Sequence, residues 1–448
     1  MLNRRQMLES TAGGLGLAAL ASLLRAEQQL HHKPTATSAI CVFLIGGTSQ
    51  VDLFDPKPAL AKYHGKPIPE SLRAGVRLGQ TNYSAPVMQS PFKFRRYGAC
   101  GMELSELLPE IGSCTDDITL IRSLHHEAFD HAPGELMLLT GKEQPGRPTL
   151  GSWLTYGLGS VSKNLPGYVV LLNGRSPKAR SLVWGNGFLP ATHQGVLFRS
   201  RGSPILDLMA PAGISPELNR AQFDAIRELN GLRREATGDT KTDDRIAAYE
   251  LAWRMQSAAP ELADLSREPK VLLDSYGSSG FARSLLLARR LVERGVRFVT
   301  VTHHEWDHHE NIAKGVPAAC LEVDKPIATL LKDLKQRGLL DTTLLACVSE
   351  FGRTAITQGK NLADAGRDHH PHAFSVFLAG GGVKGGLTHG STDDFGWKVA
   401  AEGVPLHDFT ATILHLFGLD HKQLTFRHQG LEKRLTDVAG KMVTRILR

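Results

Sequence analysis

Cysteine is scarce in this chain: five residues in 448 (Cys41, Cys100, Cys114, Cys320 and Cys347), with no Cys-x-x-Cys spacing among them. An odd number cannot pair completely, and the missing close pairs argue against a thiolate metal site. Cys41 and Cys347 sit inside apolar runs, where a thiol serves as a small hydrophobe. Charge of one sign is also sparse. The formal net charge of +7 is spread along the chain, which permits anionic substrates but does not make a nucleic-acid-binding protein. Beyond the N-terminus no run approaches the ~20 apolar residues that span a bilayer. Internal repeats and low-complexity tracts are missing too. With 42% hydrophobic and 22% charged residues the balance is globular, and the length suits one large α/β domain or two smaller ones.

What is present begins with a targeting segment, residues 1–30. Asn3-Arg-Arg-Gln-Met-Leu8 precedes a small, Gly/Ala-rich apolar stretch from Thr11 to Leu24. Paired arginines before a weakly hydrophobic run are similar to a bacterial twin-arginine signal, the alternatives being an ordinary Sec signal or a membrane anchor. The expectation is a protein exported to the periplasm or cell envelope, folded and metal-loaded beforehand, meeting membrane only through this segment.

Residues 39–45 form a continuous apolar run ending at Gly46-Gly47, the pattern of a strand buried on both faces. Similar runs recur at 118–121, 168–172, 296–301, 343–348 and 374–379. Amphipathic stretches at 281–294, 321–337 and 407–417 read as helices, the last ended by Gly418. Strands alternating with helices predict a largely parallel sheet covered on both faces, with residues 31–448 as one domain. The polar, helix-rich residues 215–269 predict a helical insertion or cap packed on the sheet.

In open α/β sheets ligands bind beyond the carboxyl ends of the strands. Three stretches dense in carboxylates and imidazoles occupy such places: Trp306-Asp-His-His309, Ser349-Glu-Phe-Gly-Arg353 and Gly366-Arg-Asp-His-His-Pro-His372. Asp307 and His309 are two apart, so extended backbone puts both on one face, and His303, His304 and His308 could substitute as ligands or donate hydrogen bonds to them. Glu350 is a candidate ligand, and Arg353 a candidate clamp for an anionic oxygen; a buried Glu–Arg pair is the alternative. At least one ligand is expected among Asp368, His369, His370 and His372. Mixed Asp/Glu/His sets suit a divalent metal: Zn first, alternatively Mn, Fe, Mg or Ca. Gly380-Gly-Gly-Val-Lys-Gly-Gly386 lacks the spacing and Lys-Ser/Thr ending of a nucleotide phosphate loop and reads as a turn, as does Gly46-Gly-Thr-Ser49.

Several of these motifs together carry a family resemblance. Gly46-Gly-Thr-Ser-Gln-Val-Asp52 runs into Phe54-Asp-Pro-Lys57, followed by Thr140-Gly141, Trp306-Asp-x-His309, Ser349-Glu-Phe-Gly-Arg-Thr354, Gly366-Arg-Asp-His369 and Leu378-Ala-Gly-Gly-Gly382. From Val42 onward the chain resembles the DUF1501 family, which is similar to the alkaline phosphatase/sulfatase superfamily. The resemblance implies a three-layer α/β/α sandwich carrying two metals. It also exposes three departures. The superfamily places an Asp directly after the first strand; Gly46-Gly47 stand here, with Asp52 and Asp55 the nearest acids. It places Asp-His where this chain has Glu350-Phe351. And it begins the helix leading into the Thr-Gly pair with Ser or Thr, ten residues before that glycine, where this chain has His131. Pro133 suits a first helical turn, so His131 would sit at a helix N-terminus, to attack phosphorus, act as general base or bind metal. The formylglycine motif of sulfatases is absent.

The resulting expectation is an exported, metal-dependent hydrolase-like protein acting on a phosphate or sulfate ester. Its partner would be a small anionic ester or a sulfated or phosphorylated glycan. Asp52, Asp307, His309, Glu350, Asp368, His369, His370 and His372 supply the candidate metal ligands. His131 would attack or take a proton, and Arg353 or Arg367 would stabilise developing negative charge. The alternative is a non-catalytic envelope or polysaccharide-binding protein that keeps the hydrolase fold; a nucleotide-binding module has only the Gly380–Gly386 run behind it.

Overall fold

Every residue of Ser38–Leu44 (β1) is buried, as a run without polar alternation requires. The computed structural model describes residues 30–211, 213–238, 241–359 and 361–448, so the targeting segment lies, but for Leu30, outside the described residues. Besides β1, the central sheet takes Ile118–His125 (β2), Tyr168–Leu171 (β3), Val196–Phe198 (β4), Phe298–His303 (β5) and Thr343–Val348 (β6). Gly352–Gln358 (β7) and Gly366–His370 (β8) stand apart as an antiparallel hairpin. Phe374–Ala379 (β9), Leu387–His389 (β10) and Val404–Pro405 (β11) complete the nine-stranded sheet. Its order is β10-β2-β9-β6-β1-β5-β3-β4, with β11 also paired to β2. All pairings are parallel except those of β9, which runs against both β2 and β6.

Period-two alternation divides β1 between two cores. Ile40, Val42 and Leu44 join one cluster with the helices Gly280–Glu293 and Ile312–Gln336; Ala39, Cys41 and Phe43 join the other, with His131–Thr140, Leu150–Leu158 and Leu406–Leu416. The result is the expected three-layer α/β/α sandwich with a largely parallel central sheet. The helix His131–Thr140 is called α1 below. No helix among the described residues is long and apolar enough to cross a membrane.

The departures from sequence expectation are local. The strand expected at 296–301 is shifted two residues toward the site, because Thr302 and His303 are buried despite their polarity. The helix expected from 321 starts at Ile312: Gly315 and Pro317 lower its intrinsic propensity, but burial of Ile312, Val316, Ala319 and Cys320 overrides that. Pro216–Thr237, capped by the Ser215 side chain, and Lys241–Ala263 are two long helices, the second packing Met255, Ala259 and Leu262 into the first core. The hairpin β7–β8 was not foreseen.

Candidate metal centre

The strand ends line up at one rim of the sheet. Leu44 of β1 is level with His303 of β5, and Phe43 with Val348 of β6. β9 runs the other way, so its first residue, Phe374, lies beside Leu124 at the end of β2. Chain leaving β5 carries Asp307 and His309, chain leaving β6 carries Glu350, and chain leaving β2 reaches His131 at the start of α1. The hairpin folds back over this rim and contributes His369, which pairs across it with Arg353.

Four residues converge there: His131, Asp307, His309 and His369 offer ligand atoms that all lie within 4.8 Å of one another and could hold a metal ion. Asp307 Oδ1 is 2.8 Å from His309 Nε2 and 3.3 Å from His369 Nε2, while Oδ2 is 3.1 Å from His131 Nε2. Each imidazole is committed through its other nitrogen. His131 Nδ1 is 2.7 Å from Glu350 Oε1, His369 Nδ1 is 2.7 Å from the Phe129 carbonyl, and His309 Nδ1 meets Gln358 Oε1. All three partners are acceptors, so each Nδ1 carries a proton and each Nε2, in a neutral ring, is left as a lone pair. Three such nitrogens and a carboxylate facing one point repel one another unless a proton or a metal cation sits among them. His131 Nε2 is buried and, although 3.1 Å from Asp307 Oδ2, makes no well-directed hydrogen bond, a want that a coordinated ion would satisfy. A histidine whose far nitrogen donates to a carboxylate or carbonyl is the usual orientation of a metal-bound imidazole. The donor set therefore fits a divalent cation of Zn type.

The electrostatics agree. Burial works against ionised Asp307, but the three imidazoles and the Arg353 guanidinium hold its carboxyl well below the usual carboxylate range. For His131 burial favours the neutral ring, yet Asp307 and Glu350 raise it to about 9. The two carboxylates make this a place that favours positive charge. Burial, outweighing Asp307, lowers His369 and keeps it neutral. The side chain of Asp307 remains 42% exposed, so the cluster is open to solvent on that side.

The other expected site residues stand elsewhere, and their partners say why. Glu350 is fully buried behind His131, taking its Nδ1 proton and the Gly46 N–H at 2.8 Å, outside the four-residue group. Arg353 pairs with Asp307, not with Glu350: its Nη2 is 2.6 Å from Asp307 Oδ1 and also meets the carbonyls of Gly46 and Trp306, while Nε donates to the Gly47 carbonyl and Nη1 to that of Arg367. A fully buried guanidinium so engaged fixes Asp307 and has no donor turned to a substrate. Arg367 is spent on Asp52, at 2.7 and 3.1 Å, in an ion pair with both partners fully buried. Asp52 is thereby removed from the ligand set, and Arg367 from charge stabilisation at the cluster. Asp368 accepts the backbone N–H groups of Gln80, Thr81 and His369. His370 stacks on Trp397 and bonds its carbonyl at 2.8 Å, and His372 lies 3.2 Å from the Arg77 carbonyl. His131, expected as nucleophile, base or ligand, has its Nδ1 on Glu350 and its Nε2 in the cluster. Gly46, read as a plain turn, has φ +122°, and a Cβ there would lie 2.5 Å from the Asp307 amide nitrogen. The turn is glycine because the two strand-end loops touch.

A cavity of about 250 Å³ opens beside the cluster, lined by His131, Asp307 and Gly46 and, opposite, by Arg175, Ser176, Lys178 and His304. Arg175, Ser176 and Lys178 are not singled out by the sequence. The signal available was position alone: Arg175 follows closely on the end of β3, the place where strand-end loops gather ligands.

No curated protein matches this chain. Among solved structures it is similar to the lipoteichoic acid synthase LtaP from Listeria monocytogenes (9% identity, 91% of this chain and 76% of that one, TM-score 0.40). It is also similar to the PsFucS1 sulfatase from Pseudoalteromonas sp. (13%, 90% and 71%, 0.37) and to alkaline phosphatase from the Antarctic bacterium TAB5 (12%, 86% and 98%, 0.34). The family described as "Protein of unknown function (DUF1501)" matches residues 36–447, and with nearly the whole described chain inside that match the protein belongs to this family.

Proposed function

We propose that this chain is an exported, metal-dependent hydrolase of a phosphate or sulfate ester. The observation that carries the reading is the convergence of three Nε2 atoms and one carboxylate, each imidazole oriented by its own acceptor. In this reading His131, Asp307, His309 and His369 hold the cation. Glu350, Gln358 and the Phe129 carbonyl fix the ring orientations, and Arg353 fixes Asp307 and the Gly46–Gly47 turn. A bound divalent cation supplies positive charge that polarises an ester oxygen and makes water more acidic. The half-exposed Asp307 and the adjoining cavity give an ester access to that charge. His131 is assigned to holding the cation and not to attack, since neither ring nitrogen is free.

The purified protein is expected to retain stoichiometric metal and to turn over at least one member of a panel of phosphate monoesters, phosphate diesters and sulfate esters. Chelator should abolish that turnover and added metal restore it. A metal-loaded protein inert toward the whole panel would replace this reading with the second one, a non-catalytic envelope or polysaccharide-binding protein. That second reading has its own support: the helix start holds a committed histidine in place of a hydroxyl nucleophile.

A further inference from the structure

Part of the cavity lining takes no part in holding a cation. Arg175 and Lys178 are both exposed, both line the space beside Asp307, and neither side chain makes an ion pair among the described residues, although Glu305 lines the same cavity. An anion entering beside the cation-binding cluster would meet two cations that no carboxylate has neutralised by an ion pair. The loop that carries them is held in place. Glu135, one helical turn beyond His131 on α1, is fully buried, and its two oxygens accept the N–H groups of Lys178 at 3.0 Å and Ala179 at 2.8 Å. A carboxylate removed from water is costly unless it is hydrogen-bonded, and this one is used to clasp two successive amides. At the other end of the loop Asn173 N–H donates to Thr302 Oγ1 at 3.0 Å, and Gly174, with φ +82°, lies so close to His304 that a Cβ would be 3.2 Å from it. The same helix therefore sets both the cluster, through His131, and the cationic wall, through Glu135.

We propose that Arg175 and Lys178 bind an anionic group of the substrate, a phosphate or a sulfate, and that Glu135 is the positioning residue that holds this wall against the cluster. The inference rests on the hydrolase reading for its chemistry and deepens it by naming where substrate charge is recognised. The cavity is smaller than the ~300–1,000 Å³ of sites for drug-sized ligands. It suits a small ester or the charged end of a chain.

The test is titration calorimetry of inorganic phosphate and, separately, of sulfate into the full protein, metal-loaded and chelator-treated, with metal content measured on the same samples. The double variant Arg175→Gln/Lys178→Gln alters only exposed side chains. It is expected to keep its metal and melting temperature and to bind the preferred anion at least roughly tenfold more weakly, the effect of losing one charge-assisted hydrogen bond. Glu135→Gln is expected to weaken the anion likewise with metal content unchanged. Wild-type affinity for both anions in the double variant would overturn the wall. Wild-type affinity in Glu135→Gln, with only a lower melting temperature, would overturn its positioning role. Should the protein hold no metal while the double variant still loses anion, the hydrolase reading fails and the wall stands.

Discussion

Replacing Glu350 by glutamine tests the orientation of the cluster without removing a ligand. Glu350 Oε1 takes two hydrogen bonds, from Gly46 N at 2.8 Å and His131 Nδ1 at 2.7 Å, while Oε2 lies 3.3 Å from Ser349 Oγ. A glutamine whose oxygen replaces Oε1 keeps both acceptor roles, and its amide faces a hydroxyl that is able to accept. Shape and fold are therefore retained, and what disappears is the charge. A hydrogen bond to a charged group contributes about 1.5–3 kcal/mol and a neutral one about 0.5–1.5 kcal/mol. The expected loss is about 1–2 kcal/mol, or roughly a 5–30-fold weaker metal. Outer partners of metal-bound histidines commonly cost 10–100-fold, so the two scales overlap. The assay is competition with a chelator of known affinity at fixed pH, alongside thermal melts to confirm the fold, with His309→Ala as the variant that removes a ligand outright. Metal affinity equal to wild type in Glu350→Gln would refute the claim that Glu350 sets His131 for coordination.

Three further outcomes follow from the same geometry. Arg367→Met leaves the fully buried Asp52 without its partner and is expected to destabilise the fold by about 3–5 kcal/mol, read as a lower urea midpoint; a loss below about 1 kcal/mol would show that the pair is not structural. Gly46→Ala puts a Cβ 2.5 Å from the Asp307 amide at φ +122°, so the variant should fold but release its metal, which metal analysis of the folded protein would contradict if content were unchanged. His126 donates from Nε2 to the Glu350 carbonyl and accepts the Ala128 N–H at 3.0 Å on Nδ1, and burial lowers it to about 4. The unfolded chain, with the ordinary value near 6.5, binds this proton first as pH falls. The contribution of the neutral ring, up to about 3 kcal/mol, is thus complete above about pH 6.5 and is lost progressively toward pH 4. Urea midpoints at pH 8 and at pH 5 should differ more in the wild type than in His126→Asn, which has no titrating ring, and an equal pH dependence in the two proteins would sink the assignment.

The strands were legible because burial on both faces writes itself as an unbroken apolar run, as in β1 and β6. The hairpin β7–β8 was not, since Gly352–Gln358 and Gly366–His370 are polar segments buried by the loops above the rim, where tertiary contacts and not composition decide. The same hairpin explains why the His-rich stretch yielded one cluster residue. His369 faces Asp307, while its neighbours Asp368, at an irregularity in the strand pairing, and His370 are held by other partners. Asp368 accepts the N–H groups of Gln80 and Thr81, and His370 stacks on Trp397. Residue density located the rim but not the register. Arg175, Lys178 and Glu135 carry no density at all; each is a single polar residue in ordinary sequence, and only the fold brings them together.

Phe351 bears on how many cations the rim accommodates. It stands where the resemblance calls for a histidine ligand, is fully buried, and stacks on His369 with ring centroids 4.3 Å apart while lying 5.2 Å from His131. Room to replace it is small, since a Cβ on Gly134 of α1 would already meet its ring at 3.2 Å. An apolar ring there does two things at once. It holds the planes of two cluster imidazoles by packing, and it fills with carbon the volume a further donor would need. Glu350 is drawn behind His131 and Asp52 is locked on Arg367, so these two candidate ligands are committed elsewhere. Among the described residues one donor group remains. If that one group is the whole centre, more of the task of holding substrate charge falls on the protein's own cations, Arg175 and Lys178, which line the same cavity.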